Sequence, residues 1–165
     1  MAEFSEHGFS GTDSNKIARR AGFSPQTFYR WFKDKSDVFI AVYRDWQEQE
    51  RRAIEPLIAA GASTGKIVDA IIHQHRAHRV FRRSLRHMSL EDGAIRQARA
   101  DSRLRQTEQL MRWKGLPASR RQAVFILLLQ LERLADAAAE GELEDAGLAT
   151  SGLKTAMVRL LDTLA

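Results

Sequence analysis

Five neighbouring polar and aromatic side chains are the part of this chain best suited to recognising a partner molecule. They supply an amide, a hydroxyl, a phenol, a guanidinium and an indole: Gln26, Thr27, Tyr29, Arg30 and Trp31. Amide and guanidinium groups match the hydrogen-bonding edges of bases in the DNA major groove, and hydroxyl groups bind phosphate oxygens. These residue types predict contact with double-stranded DNA.

Two short helices joined by a tight turn are predicted to position these groups. Ile17 and Ala18 give the first helix a small apolar face, and Gly22 permits a positive φ at the bend. Ser24 can cap the second helix, with a proline in its first turn. Phe28 and Phe32 lie four residues apart and are predicted to face the core, which leaves the five polar and aromatic groups outside.

This stretch resembles the tetracycline-repressor (TetR) family of transcriptional regulators. The matching residues fall at the family's offsets: Gly8-Phe9, Thr12, Ile17-Ala18, Ala21-Gly22-Phe23-Ser24, Thr27-Phe28-Tyr29, Phe32 and Lys33-Asp34-Lys35. The resemblance covers about the first third of the chain. The remainder agrees in its helical layout and not in any motif.

The resemblance implies roles for individual residues. Gln26 and Thr27 would touch bases, Tyr29 and Lys35 would bind phosphates, and Thr12 would be the capping threonine whose hydroxyl and neighbouring amides meet a phosphate. For Arg30, a guanine edge and a phosphate are equally plausible partners. The full set predicted to contact DNA is Thr12, Asn15, Lys16, Ser24, Pro25, Gln26, Thr27, Tyr29, Arg30, Trp31 and Lys35.

The chain departs from the family at three places. The family's first helix runs about two turns further before Gly8 and follows a basic arm, so either the start of this sequence is assigned late or the first helix is shortened. Ser14 occupies a position that is usually apolar, and Asn15-Lys16 replaces a common Arg-Glu pair. A weaker three-helix core and unusual contacts from the first reading helix are therefore expected.

Composition limits the class of protein. The 165 residues are 44% hydrophobic and 28% charged and contain no cysteine, which excludes a disulfide scaffold and the common zinc-finger ligand sets. Apolar runs are too short to span a membrane, and we expect a cytoplasmic protein without a membrane or cofactor partner. A phosphate-binding loop is not indicated at 61–66, and no nucleophile or metalloprotease motif occurs, so enzymatic activity is not expected.

The positive charge lies mainly outside the DNA-reading segment. Residues 1–50 hold 7 Lys/Arg and 8 Asp/Glu, residues 51–115 hold 14 and 6, and residues 116–165 hold 5 and 7. The DNA prediction therefore depends on the motif, with a basic face formed locally if the acidic residues point elsewhere.

Helical periodicity throughout predicts an all-α protein with two domains. Residues 1–45 would form a three-helix DNA-binding unit of the helix-turn-helix type, and 46–165 a helical bundle for effector binding and dimerisation. Helices are expected from about 36 to the early fifties, over 66–88, 94–113 and 118–139, and at the C-terminus. A break is expected around Pro56 and the segment 61–65, and a linker over 140–147.

Two C-terminal helices are predicted to form a homodimer interface, as in the family. The segment 123–129 is apolar on every side, which is met by a core on one side and a partner subunit on the other. The residues predicted to form the interface are Phe125, Leu128, Leu153, Met157, Leu160, Leu161 and Leu164.

The resemblance also implies an unidentified small-molecule effector bound between helices of the C-terminal domain. Large apolar residues are candidates for its pocket, although such residues more often form core: Trp46, Phe81, Met88, Leu110, Met111, Trp113 and Phe125.

The histidines and arginines of 73–87 favour a solvated helix face over a metal site. His73 and His75 would point about 160° apart on a helix at 100° per residue, and no acidic residue lies at i+4 from them. The five arginines between 76 and 86 are read mainly as surface, with an anionic ligand or nonspecific DNA attraction as the alternative.

The motif predicts a homodimeric DNA-binding regulator, most simply a repressor, and the resemblance to the family implies that a small molecule modulates its operator affinity. A different class of protein also fits. It would be a helical module that acts by protein binding and carries a degraded DNA-binding unit, as the nearly neutral N-terminal charge and the shortened first helix suggest.

Overall fold

The computed structural model describes residues 1–164, which form ten α-helices and one 3₁₀ turn with no strand among them. In chain order the α-helices are α1 Ala2–His7, α2 Ser14–Arg20, α3 Pro25–Trp31, α4 Lys35–Ala59, α5 Thr64–Ala77, α6 Arg79–Glu91, α7 Gly93–Lys114, α8 Arg121–Glu140, α9 Glu142–Asp145 and α10 Ser151–Asp162. The 3₁₀ turn, Ala118–Arg120, precedes α8. The all-α prediction is confirmed.

The chain forms two compact units. The first contains residues 1–48 and 78–100, and the second contains residues 49–77 and 101–164. Helices α4 and α7 contribute residues to both. The predicted boundary at 45/46 assigned 78–100 to the second domain, but in the structure α6 packs with α1 in the first unit. Residue 165 of the predicted second domain lies outside the described residues.

An aromatic cluster forms the core of the first unit. Phe39 of α4 is fully buried, and its ring centroid lies 4.9 Å from that of Phe4, 5.2 Å from that of Phe9 and 4.6 Å from that of Phe81. These contacts join α1 and α6 to α4. Edge-to-face ring pairs add stabilisation beyond the buried area, typically about 1 kcal/mol each. Helix α1, six residues long with Phe4 buried, is therefore held by packing rather than by its own length.

The second unit has an aliphatic core built from α5, α8 and α10. Val68, Val124, Leu131 and Met157 are central members of one buried cluster. The segment 123–129 is not buried on every side, because Ile126 is half exposed. Its outer face is therefore not covered by the chain's own core.

One expected long helix is divided in two. Residues 66–88 were predicted as a single helix, but α5 ends at Ala77 and α6 begins at Arg79. The break at His78 occurs because α5 buries its apolar side in the second unit whereas α6 buries its apolar side in the first. No proline or glycine marks this position, so the local sequence contains no signal for it.

The expected break around Pro56 and 61–65 is confirmed, but it lies after Ala59 and not at the proline. Helix α4 continues through the proline to Ala59 and ends before Gly61, where φ is +65°. A proline near the end of a helix removes one amide donor without preventing the last turn. The linker over 140–147 contains the short helix α9.

A buried polar cluster lies inside the second unit. His75 Nδ1 is 2.9 Å from Asp136 Oδ1, and His75 Nε2 is 3.8 Å from a Glu50 carboxylate oxygen. Gln106 donates to the other Glu50 oxygen at 3.3 Å. All three ionisable residues are more than nine-tenths buried. Helices α4, α5, α7 and α8 therefore meet through polar contacts at this point, and His75 is not part of a solvated face.

No helix within residues 1–164 is long and apolar enough to span a membrane.

We predict that Asp136→Ala destabilises the protein by about 3 kcal/mol, because it removes the 2.9 Å contact between two buried ionisable side chains. Urea unfolding followed by circular dichroism measures the change. The matched control is Asp69→Ala, which breaks an exposed 2.7 Å ion pair with Lys154 and should cost less than about 1 kcal/mol. Equal losses in the two variants would contradict a special role for the buried pair.

Candidate nucleic-acid interface

Backbone geometry sets the turn between α2 and α3. The Asp13 side chain caps α2 by accepting from the Lys16 amide at 2.9 Å. Beyond the helix Gly22 adopts φ +78°, and the Phe23 amide donates to Ala18 O at 2.9 Å. A Cβ at Gly22 would meet nothing within 4 Å, so the need for glycine comes from the backbone angle and not from lack of space.

Helix α3 begins as its sequence predicts. The Ser24 side chain accepts from the Thr27 amide at 3.3 Å, and Pro25 occupies the first helical position. The Ser24 and Thr27 hydroxyls are 3.0 Å apart. Phe28 is 5% exposed and half-buried Phe32 packs on the same core, so the predicted inward stripe is confirmed.

The remaining side chains of α3 lie outside the core. Trp31 is 76% exposed and Tyr29 is 59% exposed, and Gln26 and Arg30 are exposed as well. Such exposure of two large aromatic residues on a seven-residue helix is typical of a surface that a partner covers. The structure brings together on this helix the predicted base- and phosphate-contacting groups, with only Thr27 half buried.

Helix α2 has a basic surface. Asn15, Lys16 and Arg19 are exposed on α2. Neither α2 nor α3 contains an acidic residue. A locally positive surface therefore exists although residues 1–50 are nearly neutral in total.

Thr12 is placed differently from its expected role. It is 4% exposed, and its hydroxyl donates to a Glu3 carboxylate oxygen at 2.8 Å. Asp13, one residue later, is the cap of α2. The prediction of a capping Thr12 with a phosphate-facing hydroxyl is corrected accordingly: the aspartate carboxylate takes the capping position, and the threonine hydroxyl points to α1.

Lys35 also differs from the expected exposed phosphate ligand. Its ammonium donates to Phe9 O at 2.8 Å and to Thr12 O at 3.0 Å, and it lies 4.1 Å from the centre of the Phe9 ring. Burial lowers the pKa of this lysine, and the Asp13 carboxylate acts in the opposite direction. The lysine is thus partly withdrawn from solvent.

An ion-pair network links α1 to α2. Arg20 donates to Glu3 at 3.0 Å and to both carboxylate oxygens of Glu6. Hydrogen bonds lower the pKa of Glu3, and the bond from the Thr12 hydroxyl has a larger effect than the bond from Arg20. Arg20 is the main cause of the lowered Glu6 pKa. Sequence reasoning missed this network, because the residues pair across helices at spacings of 14 and 17 that no local pattern reveals.

The predicted effector residues divide between the two cores. Trp46, Phe81 and Met88 belong to the aromatic cluster of the first unit. Leu110 belongs to the aliphatic core of the second, with Met111 and Trp113 packed against it. Phe125 is half buried.

Most of the predicted dimer residues belong to the core of their own chain. Leu153, Met157, Leu161 and Leu164 are at most 7% exposed, so a partner subunit could not reach them, and this part of the prediction is wrong. The cause is that α10 has a long apolar stripe, and its centre faces α5 and α8. Leu128 and Phe125 are half buried.

An open groove between α8 and α10 lies on the other side of that stripe. Leu160 alone of the seven predicted residues lines it. The remaining lining residues are four apolar and four polar or charged residues: Ile126, Leu129, Leu134 and Ala156, and Gln130, Arg133, Arg159 and Thr163. Sequence periodicity identified two helices that line this groove, but not which of their faces the chain leaves uncovered.

Residues 1–42 match the model of the bacterial regulatory proteins of the tetR family. The chain is 32% identical over 56 residues to the HTH-type transcriptional regulator YdgC of Bacillus subtilis (strain 168), covering 34% of this chain and 29% of that protein. It is 29% identical over 70 residues to the fatty acid metabolism regulator protein of the same organism, covering 42% and 36%. The matched segments thus span about a third of these relatives.

Solved structures resemble the chain over nearly its full length. The fatty acid degradation regulator FadR of Bacillus halodurans superposes with a TM-score of 0.64 at 20% identity, over 96% of this chain and 87% of that one. A TetR/AcrR-family regulator of Thermobifida fusca YX-ER1 gives a TM-score of 0.52 at 21% identity, over 96% and 89%. At these identities the likeness establishes the fold.

We predict that acid destabilises the protein through the Arg20 network. Glu3 and Glu6 have folded-state pKa values below the ordinary 4.5, so they stabilise the fold above about pH 4.5 and lose that contribution as the pH falls through the lowered values. The urea concentration at the unfolding midpoint, measured between about pH 3 and 7, should decrease as the pH is lowered below about 4.5. This decrease should be smaller for Arg20→Gln than for the wild type.

The exposed Arg44→Gln serves as the control for the general effect of losing one guanidinium. A pH profile of Arg20→Gln as steep as that of the wild type would contradict the assignment of the acid-sensitive groups.

Proposed function

We propose that the chain is a transcriptional regulator of the TetR family, the family whose model residues 1–42 match, and that it binds a double-stranded DNA operator as a homodimer and represses transcription. Each subunit would place α3 in the major groove, with the two α3 helices about one helical turn apart on a near-palindromic site.

The exposed face of α3 is the observation that carries this proposal. Gln26 and Thr27 lie in the first turn of a capped helix, and the N-terminal residues of a recognition helix are those that contact base edges. Arg30 follows one turn later, within reach of a guanine edge or a phosphate. Tyr29 and Trp31 complete a surface on which aromatic, amide and basic groups adjoin.

The charges around α2 and α3 support an anionic partner. Arg20 engages both nearby glutamates of α1, whereas Lys16, Arg19 and Lys33 are exposed. Cations that neutralise phosphates release counterions from DNA, and this release provides most of the sequence-independent affinity. The proposed interface thus combines phosphate-binding cations with groups that read bases.

The groove between α8 and α10 supports a homodimer. Its lining combines apolar side chains with the polar groups of Arg133, Arg159 and Gln130. Two copies of one surface pair by a two-fold axis, which also matches the symmetry of a palindromic operator. A partner's α8 and α10 would cover the half-exposed Ile126 and the adjoining Leu160.

We propose that a small molecule bound in the second unit lowers DNA affinity. Leu110, Met111 and Trp113 lie in or against the core of that unit and are the candidate contacts. Regulation requires the ligand to prefer a conformation whose two α3 helices do not fit the operator spacing. Two similar proteins are named as regulators of fatty acid metabolism or degradation, so fatty acids are the first effectors to test.

We predict salt-sensitive, sequence-selective binding to DNA taken from immediately upstream of the protein's own gene. Tyr29→Ala should lower affinity for all sequences by about tenfold, because it removes a hydrogen bond to a charged phosphate. Fluorescence anisotropy at two salt concentrations measures both effects, with scrambled DNA as the competitor and Leu148→Ala, an exposed change in the second unit, as the control variant.

Weak and equal binding to both DNAs would show that the operator lies elsewhere. Absence of binding to any DNA in a random pool would contradict the proposal and favour a protein-interaction module. Tyr29→Ala binding as tightly as the wild type would show that the phosphate contact is wrongly assigned.

We predict that Leu160→Arg converts the dimer to a monomer, because a charge placed among the apolar residues of the interface would be buried without a partner. Sedimentation equilibrium measures the change. Leu104→Arg, at a 40% exposed leucine of α7 outside the groove, should leave the dimer intact. A persisting Leu160→Arg dimer with an unchanged helical spectrum would place the interface elsewhere.

A further inference from the structure

The segment joining α1 to α2 is held by side chains from two other helices. We call residues 8–13 the corner. The Phe9 amide donates to Ser84 Oγ of α6 at 3.0 Å, and Phe9 O accepts from Lys35 Nζ of α4 at 2.8 Å. One residue of the corner therefore has its amide fixed by one helix and its carbonyl fixed by another.

Lys35 makes a second contact that extends across the corner. The same ammonium donates to Thr12 O at 3.0 Å, immediately before the Asp13 cap of α2. Its ammonium lies over the Phe9 ring, which is itself stacked on Phe4 and meets the edge of Phe39. Two of the three ammonium donors thus serve the end of α1 and the start of α2.

The corner leaves little room for other arrangements. Gly8 has φ +67°, and a Cβ there would come within 3.0 Å of Ser84 Oγ. A Cβ at Gly11 would overlap His7 O at 2.2 Å. The backbone is therefore in close contact with its surroundings at two of its six positions, and the angle at which α2 leaves α1 is set here.

We propose that Lys35 and Ser84 are positioning residues that fix the corner, and so set α2 and α3 for the operator, without supplying a phosphate contact. This inference rests on the proposed DNA-binding function. It replaces the phosphate-ligand role that the family resemblance implies for Lys35, because the ammonium is directed at two backbone carbonyls. Lys33, two residues earlier, is exposed and remains a candidate phosphate ligand.

Salt dependence separates the two roles. Each phosphate neutralised by a cation contributes about 0.9 to the slope of log affinity against log salt concentration. Loss of a phosphate-binding lysine reduces that slope by about one, whereas loss of a positioning contact lowers affinity and leaves the slope unchanged.

The experiment uses the full chain and an operator selected from randomised DNA with the wild-type protein. Three variants are compared at a temperature where all are folded by circular dichroism: Lys35→Met, Ser84→Ala and Lys33→Met. Lys35→Met and Ser84→Ala should each weaken operator binding about tenfold with an unchanged slope, since each removes backbone hydrogen bonds of the corner. Lys33→Met, which removes the same charge from an exposed site, should reduce the slope by about one.

Amide hydrogen exchange in the free protein provides a readout that does not depend on DNA. Amides of residues 8–13 should exchange faster in Lys35→Met and Ser84→Ala and at the wild-type rate in Lys33→Met.

A reduced salt slope in Lys35→Met would overturn the positioning role, and so would a lower unfolding midpoint with wild-type operator affinity, which marks a merely stabilising residue. Wild-type protein that selects no DNA would overturn the DNA-binding function itself and is therefore distinguishable from both.

Discussion

The first unit depends on the packing of one side chain, Phe39. Its ring touches aromatic residues from α1, from the segment after α1 and from α6, and no part of it reaches solvent. Helices of six or seven residues are not stable alone in water, so α1, α2 and α3 exist only because a shared core holds them. Phe39 lies at the centre of that core. A smaller residue there would loosen α1 and α6 together, since both contact the same ring.

This core needs only one residue of α3, so most side chains of that helix remain exposed to solvent. It gives Phe28 to the core and keeps Tyr29 and Trp31 in solvent. A recognition helix needs this division: one inward residue to fix its position and several outward residues to make contact. The caps of α2 and α3, Asp13 and Ser24, satisfy amide donors within each helix and leave the outward side chains free of that task.

The parts of this fold that sequence reasoning predicted correctly are those with local signals. The glycine turn, the serine cap and the inward Phe28 are each specified within a few residues, and the structure has all three. What failed depended on contacts distant in sequence. An apolar stripe on α10 indicates burial but not whether the cover is α5 and α8 or a partner subunit. Likewise, the charge of Lys35 at the start of α4 is evident from the sequence, but only the fold reveals that its ammonium donates to two backbone carbonyls.

The net charge of residues 1–50 does not describe the charge on the exposed surface of α2 and α3. Residues 1–50 carry one more acidic than basic residue, which taken alone argues against a polyanionic partner. The acidic residues of α1 are engaged by Arg20, and Asp13 lies at the N-terminus of α2, where a carboxylate offsets the positive end of the helix dipole. No carboxylate remains within α2 or α3. Phosphates that approach these helices closely therefore meet exposed cations. At distances below a Debye length of about 10 Å, these nearby charges affect a phosphate more than the net charge of residues 1–50 does.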